Sequence, residues 1–482
     1  MFSKNYITSF IFLGFSYLIF IIALGVIYSN FDYLVLTFFI GGPLFLIFLL
    51  ASSVKNEILV TYSFFALFGS LMSSYGLFYN RERFILSGGQ STIKHFDFEP
   101  FTLVELYIPL LYFHLLVVIL FILLVYFFQA GQAVNQFKER TNLDSSYIKS
   151  QHSRFYLILL IVFCVLMFFI NSFMFNNSVG MGGVANHRLP FKLSGILFYF
   201  SRFITPLILL YLVLKVRPSY FVFLLLAALA IFSSMTSLSK AVLILYFFPL
   251  LIILFKENKF GLLILSLPII MISYEAVTLA RSVIYLVEDS IVTRNLELDI
   301  FSMILQSVDL INFEEINWLN VLFGLGERFG GGQDIVLASQ MDIRTVGSNS
   351  LNEFFRIYFI NNDFALPIAS EFYDFTPLNR GIATGDGGFF AHILTISSGN
   401  YLIITFLSIF IALFFLFTQA SIQTLDNLLL PQEIKIYISI FIILYVFGFA
   451  GKLMLAIIIN LSILAATQIA FFRNLILKFI LK

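Results

Sequence analysis

Lys240 closes the stretch SSMTSLSK, Arg202 lies inside an apolar run, and Arg281, Arg344 and Arg356 stand in a long segment that contains no Lys. Arg grips planar phosphate or carboxylate groups with a two-pronged donor fork that Lys lacks. A cation fixed where water is scarce stabilises charge that develops on a departing oxyanion. Glu353 and Asp386 offer the complementary chemistry, a carboxylate that accepts or orients a hydroxyl proton. Glu353 falls in SNSLNEFFRIYF, three residues after Ser350 and one turn before Arg356, so it either serves that proton or only caps a helix that starts there. A helix start with free amides beside Arg356 is also an anion seat. Asp386 falls in ATGDGGFF, where glycines let a substrate approach closely, and His392 follows shortly after. None of the five His forms a pair with metal-ligand spacing, and Cys164 is the single cysteine of the chain. Neither a metal nor another cofactor is therefore expected.

The elements that position these residues are membrane spans. The 482 residues are 60% hydrophobic and 11% charged, with 63 Phe, and mean hydropathy is +0.98. This composition predicts an all-α polytopic membrane protein. A net charge of +1 gives no basic field for nucleic acid. Runs of spanning length predict about twelve helices. They fall at 6–28, 33–51, 58–79, 106–128, 155–174, 193–215, 220–235, 241–255, 260–280, 400–418, 436–450 and 453–472. The first is read as a retained anchor. Placing the N-terminus inside also puts Lys55, Lys138, Arg140, Lys149, Arg154, Lys215, Arg217, Lys256, Lys259, Lys435, Arg473, Lys478 and Lys482 inside. Both termini are then cytoplasmic. The layout is residues 1–280 with nine spans, residues 281–390 as one large outside loop, and residues 391–482 with three more spans. Residues 391–400 either extend the tenth span or form a lid over it.

The outside loop carries fifteen acidic residues and six Arg. Phe301, Leu305, Val308 and Ile311 recur at helical spacing, as do Leu351, Phe354, Phe355, Tyr358 and Phe359, which predicts two helices on the membrane surface. Trp318, the only tryptophan, sits in an amphipathic stretch suited either to the headgroup level or to packing. GLGERFGGG, residues 324–332, has the wrong glycine spacing for a dinucleotide fingerprint. It reads as a connection between surface helices, with Glu327 and Arg328 at its tip.

A second cue is the turn that ends in Lys240. Two apolar runs of about sixteen residues flank it, each rising only about 24 Å against a bilayer core of about 30 Å. The turn is then sunken below the outer surface and Lys240 faces a cavity, where an ammonium either meets an anion or snorkels. Arg202, Glu275, Arg281 and Lys452 fall at or just below the same outer level.

This layout resembles the O-antigen polymerase family, which joins lipid-linked oligosaccharide repeat units, and more distantly the O-antigen ligases. The resemblance covers most of the chain. Ser237, Ser239 and Lys240 look like the family's Ser-x-Ser-Arg at the same hairpin, with Lys in place of Arg. Asn349 falls where ligases place a His-Asn pair, so the ligase histidine is missing, and no outside Arg carries the Arg-x10-Gly pattern of some polymerases. The resemblance implies a metal-independent glycosyl transfer from an undecaprenyl-diphosphate-linked oligosaccharide on the outer face of the bacterial inner membrane, building an O-antigen or capsule. Lys240, Arg281 and Arg356, backed by Arg344 or Arg202, would hold the diphosphate. Glu353 or Asp386 would serve the acceptor. Partners would be the lipid-linked oligosaccharide and membrane lipid, with binding of a chain-length regulator left open. A lipid-linked oligosaccharide flippase or transporter is the rival from another class, although the chain lacks the internal repeat such proteins show. An O-antigen ligase is the rival within the fold.

Overall fold

In lipid a chain segment must satisfy its own backbone hydrogen bonds, and the long Leu-, Ile- and Phe-rich runs do so as helices. The computed structural model describes residues 31–54, 56–79, 99–132, 153–177, 193–216, 219–256, 259–286, 300–309, 400–425, 432–443 and 453–480, with single positions between them that include Phe323, Phe390, Ile393, Leu394 and Ser397. Every regular element among the described residues is helical. In chain order these are α1 (Asp32–Ser53), α2 (Glu57–Tyr79), α3 (Pro100–Gln132), α4 (Ser153–Asn176), α5 (Leu193–Val216) and α6 (Tyr220–Thr236). They continue with α7 (Lys240–Lys256), α8 (Phe260–Leu286), α9 (Ile300–Asp309), α10 (Tyr401–Thr424), α11 (Gln432–Ile443) and α12 (Leu453–Ile480). Seven of them, α1 to α5, α8 and α10, contain stretches long and apolar enough to cross a membrane, and α6, α7 and α12 hold shorter apolar stretches. The chain is a membrane protein. The expected first span, 6–28, lies outside the described residues.

Several helices outrun their apolar cores. α3 begins at Pro100, whose missing N–H costs nothing at a first helical position, and α8 continues to Leu286 past the expected end at 280. Two π-turns interrupt the α geometry, Thr37–Gly41 in α1 and Phe200–Ile204 in α5.

The centre of the bundle is α2, where 89% of the most apolar window is buried. Its hydroxyls bind neighbours on both sides: the Tyr75 hydroxyl meets Thr37 of α1, and Ser73 meets Tyr107 of α3 at 3.0 Å. Lower down, Tyr62 reaches His114 Nδ1 of α3 at 2.6 Å. At the start of α2, Glu57 acts on Lys435 near the start of α11. Partial burial pulls the Lys435 ammonium below its ordinary value, and the Glu57 charge opposes that shift.

α3 and α10 run parallel, since Tyr112 bonds Thr405 at 3.1 Å while Phe121 stacks edge-on with Phe415 at 6.3 Å. This register exposes a reversal of the chain just before α10. Phe390 precedes Thr405 by fifteen residues, which as one straight helix would lift it about 22 Å beyond the level of Tyr112. Instead its ring lies 4.8 Å from His114 and 6.5 Å from Phe113. The helical positions Phe390, Ile393, Leu394 and Ser397 therefore form a short leg folded back beside α3. The bend comes at Ser397 and Asn400, whose N–H donates to the Ser397 carbonyl at 2.7 Å while its side chain caps α10 through the Leu402 N–H at 2.9 Å. The described positions Ile393, Leu394 and Ser397 thus do not continue α10. Phe390, Ile393 and Ser397 are buried, as backbone that turns back at membrane depth must be.

α9 is a helix where the spacing of Phe301, Leu305 and Val308 predicts one. Met303 is sealed against Ala276, Val277 and Ala280 of α8, whereas Leu305 is exposed. Nearby in sequence, Phe323 fits against Gly76 of α2, where an added Cβ would come within 2.9 Å of the Phe323 Cβ. Among the described residues between α8 and α10, Met303 packs on α8, Phe323 on α2 and Phe390 on α3.

Candidate anion site at the Ser-x-Ser-Lys turn

The turn between α6 and α7 is three residues long, Ser237 to Ser239. It closes α6 as a Schellman motif: the Ser239 N–H donates to the Ser234 carbonyl at 3.0 Å and the Leu238 N–H to the Met235 carbonyl at 3.1 Å. The motif needs a left-handed residue, and Leu238 fills it with φ of 49°, where glycine is usual. That conformation costs a side chain about 1 kcal/mol. Burial offsets it, because Leu238 is fully enclosed with Phe175, Met235 and the α8 residues Ala276 and Val277. A fully buried leucine side chain gains roughly 2 kcal/mol. The turn is thereby fixed on α8.

Beneath it a buried polar network ties four helices together. Asn171 of α4 donates through Nδ2 to Ser233 Oγ of α6 at 2.7 Å, and Ser201 of α5 donates to Asn171 Oδ1 at 3.2 Å. The Tyr246 hydroxyl of α7 donates to the Ser201 carbonyl at 2.9 Å. That carbonyl lies in the second π-turn, which breaks the α-helical ladder locally. Ser233 links the network to the turn, since its carbonyl accepts the Ser237 hydroxyl at 2.7 Å and the Ser237 N–H at 3.2 Å.

Lys240 is the first residue of α7 and half-buried. A cation at a helix N-terminus meets the positive end of the backbone dipole, a cost of about 0.3–1 kcal/mol. One contact that offsets this is aromatic: Lys240 Nζ stands 3.9 Å from the centroid of the Tyr274 ring on α8. A cation held over a desolvated ring gains up to about 2 kcal/mol. The same arrangement that repels a cation attracts an anion, so dipole and ammonium together favour a phosphate or carboxylate at this turn.

The sequence-derived candidates divide as follows. Lys240 is on the turn, and Arg281 is a backbone position of α8 seven residues after Tyr274. Glu275 is half-buried beside Tyr274 on that helix. Arg202 belongs to the π-turn of α5, next to Ser201 of the buried network, with its guanidinium 4.1 Å from the Phe198 ring on its own helix. Arg344, Arg356, Glu353, Asp386, His392 and Lys452 lie outside the described residues, as do Trp318, the stretch 324–332 and the expected helix around 351–359. Cys164 is core packing, fully buried on α4. His114 is buried rather than merely within a span, and its Nε2 finds no hydrogen-bond partner among the described residues. Those residues hold no cluster of three or more His, Cys, Asp or Glu able to take a metal ion.

Sequence reasoning missed Tyr274 and the network of Asn171, Ser201, Ser233 and Tyr246. The seven-residue interval from Tyr274 to Arg281 was available as a signal. No protein-family model, curated protein or solved structure matches the chain.

Proposed function

We propose that the chain is a membrane glycosyltransferase that polymerises undecaprenyl-diphosphate-linked oligosaccharide repeat units into a surface polysaccharide, on the outer face of the bacterial inner membrane. The observation that carries this reading is the short hairpin of α6 and α7, closed by Ser-x-Ser-Lys. Each arm has 17 residues and rises about 25 Å, so in a bilayer core of about 30 Å its turn stays below the outer surface. A half-buried ammonium at such a depth suits the diphosphate of a lipid carrier, whose headgroup sits at that level. The topology that goes with this reading has about twelve spans, cytoplasmic termini and one large outside loop between α8 and α10.

In the reaction the bond between the anomeric carbon and the diphosphate oxygen breaks, and its electron pair leaves with the undecaprenyl diphosphate. A hydroxyl at the non-reducing end of a second unit forms the new glycosidic bond, and its proton passes to a carboxylate, Glu353 or Asp386. Lys240, Arg281 and Arg356, with Arg344 or Arg202 in support, offset the charge that grows on the leaving diphosphate. The step consumes neither nucleotide sugar nor metal.

The test is the surface glycan profile of a deletion strain complemented with wild type, Lys240→Ala or Arg356→Ala, with membrane levels of each protein measured in parallel. The expected result is a ladder with wild type and a single repeat unit in the deletion strain and in both variants. A normal ladder from both variants would sink the site assignment. Units held on the inner face of the deletion strain would point to transport instead.

A further inference from the structure

We propose that the Tyr246 hydroxyl latches a hinge at Pro206 of α5, which makes Tyr246 a positioning residue between the segment that carries Arg202 and the helix that starts at Lys240. The purpose rests on the polymerase reading, whereas the hinge follows from backbone chemistry. In α5 the Thr205 N–H donates to the Phe200 carbonyl, five residues back, and the Thr205 hydroxyl joins it there at 3.0 Å. That N–H is thus taken by Phe200 rather than by Ser201, its partner in a regular α-helix. The next position along the helix is Pro206, which has no N–H. The helix therefore offers the Ser201 carbonyl no donor, and the Tyr246 hydroxyl supplies one from α7 at 2.9 Å. Ser201 and Tyr246 are both buried, so a carbonyl that lost this hydroxyl would be cut off from solvent. The π-turn of α1 has the same register: the Gly42 N–H donates to the Thr37 carbonyl, and Pro43 follows. Pro109, Pro249 and Pro268 stand inside helices that keep their α geometry, so proline permits the longer step and does not impose it. At position 205 the hydroxyl bond to Phe200 reinforces that step. A helix bends most readily at a proline and a π-turn. Ser201 adjoins Arg202, and Tyr246 lies six residues after Lys240 on α7, so one hydrogen bond spans this hinge and joins the two cation-bearing helices.

The experiment compares Tyr246→Phe, Pro206→Ala and the double variant with wild type, each as the purified full-length chain in detergent. Amide hydrogen exchange of the peptide spanning 200–209 is read by mass spectrometry. Tyr246→Phe removes only the hydroxyl and should speed exchange there about tenfold, because a buried carbonyl is left without a donor. Pro206→Ala returns an N–H to this stretch, so the backbone can satisfy the Ser201 carbonyl by itself. In that background Tyr246→Phe should leave exchange close to that of Pro206→Ala alone. Equal acceleration by Tyr246→Phe with and without Pro206 overturns the proposal, as does no acceleration in either. The glycan ladder of complemented deletion cells reads the purpose of the latch. Tyr246→Phe is expected to lower polymer several-fold while the protein stays at its wild-type level in the membrane. A full ladder from Tyr246→Phe overturns the positioning role, whatever the exchange shows. A deletion strain that still makes a full ladder sinks the polymerase reading, and the exchange result then decides the hinge alone.

Discussion

At the scale of single residues, the turn that carries Lys240 depends on a leucine in a conformation leucine avoids. Leu238→Ala would keep the left-handed backbone and lose the packing. It should destabilise the protein by roughly 2–4 kcal/mol, read as a lowered midpoint of thermal unfolding in detergent. A midpoint equal to wild type would mean that the turn does not rely on this contact with α8. Asn171→Leu removes the donor to Ser233 and the acceptor for Ser201 together, leaving the Ser201 hydroxyl with the Tyr246 hydroxyl at 3.2 Å; a buried hydrogen bond contributes about 0.5–1.5 kcal/mol. It should lower stability more than Asn171→Asp, which keeps an acceptor for Ser201, and the same unfolding assay checks the order. The sequence made Lys240 legible because a cation beside an apolar run has few neutral explanations. Tyr274 was not legible, because one tyrosine among 23 carries no mark of the cation it will meet. Leu238 was hidden for a related reason, since a positive φ is read from glycine or asparagine and this turn uses neither.

At the scale of elements, the period of apolar residues located the helices well and their neighbours poorly. Hydropathy registers that a run is apolar, whether its residues are exposed, as Leu402 and Phe406 of α10 are, or in the core, as Ile404 and Leu407 are. For the same reason the leg from Phe390 to Ser397 read as ambiguous: its residues suit a span, and only the contact with His114 reveals the reversal. A cysteine at position 390, in a Cys164→Ser background, should resist membrane-impermeant thiol reagents in intact and in inverted vesicles. Rapid labelling from either side would contradict the folded-back leg. Gly76 supplies a second test. Gly76→Val places methyl groups where Phe323 packs, so it should release that anchor and increase cleavage between α8 and α10 by protease added to the purified protein in detergent. Cleavage equal to wild type in Gly76→Val would show that the contact with α2 does not restrain the segment.

At the scale of the whole molecule, one bundle combines a cationic turn, a parallel pair of helices and the residues Met303, Phe323 and Phe390 packed on α8, α2 and α3. Composition alone established a helical membrane protein. Parallel pairing of α3 with α10 and the polar junction of α4 to α7 came only from the structure, because both are decided by which side chains fit across space. Glu353, Asp386 and Arg356 enter the proposal through residue chemistry and the resemblance of layout, whereas Lys240 also enters through its geometry. The most direct measurement is therefore made on purified protein in proteoliposomes, supplied with lipid-linked repeat units extracted from the deletion strain. The account predicts a ladder of joined units with release of undecaprenyl diphosphate, and none from Lys240→Ala. Units that cross the bilayer without being joined would contradict it.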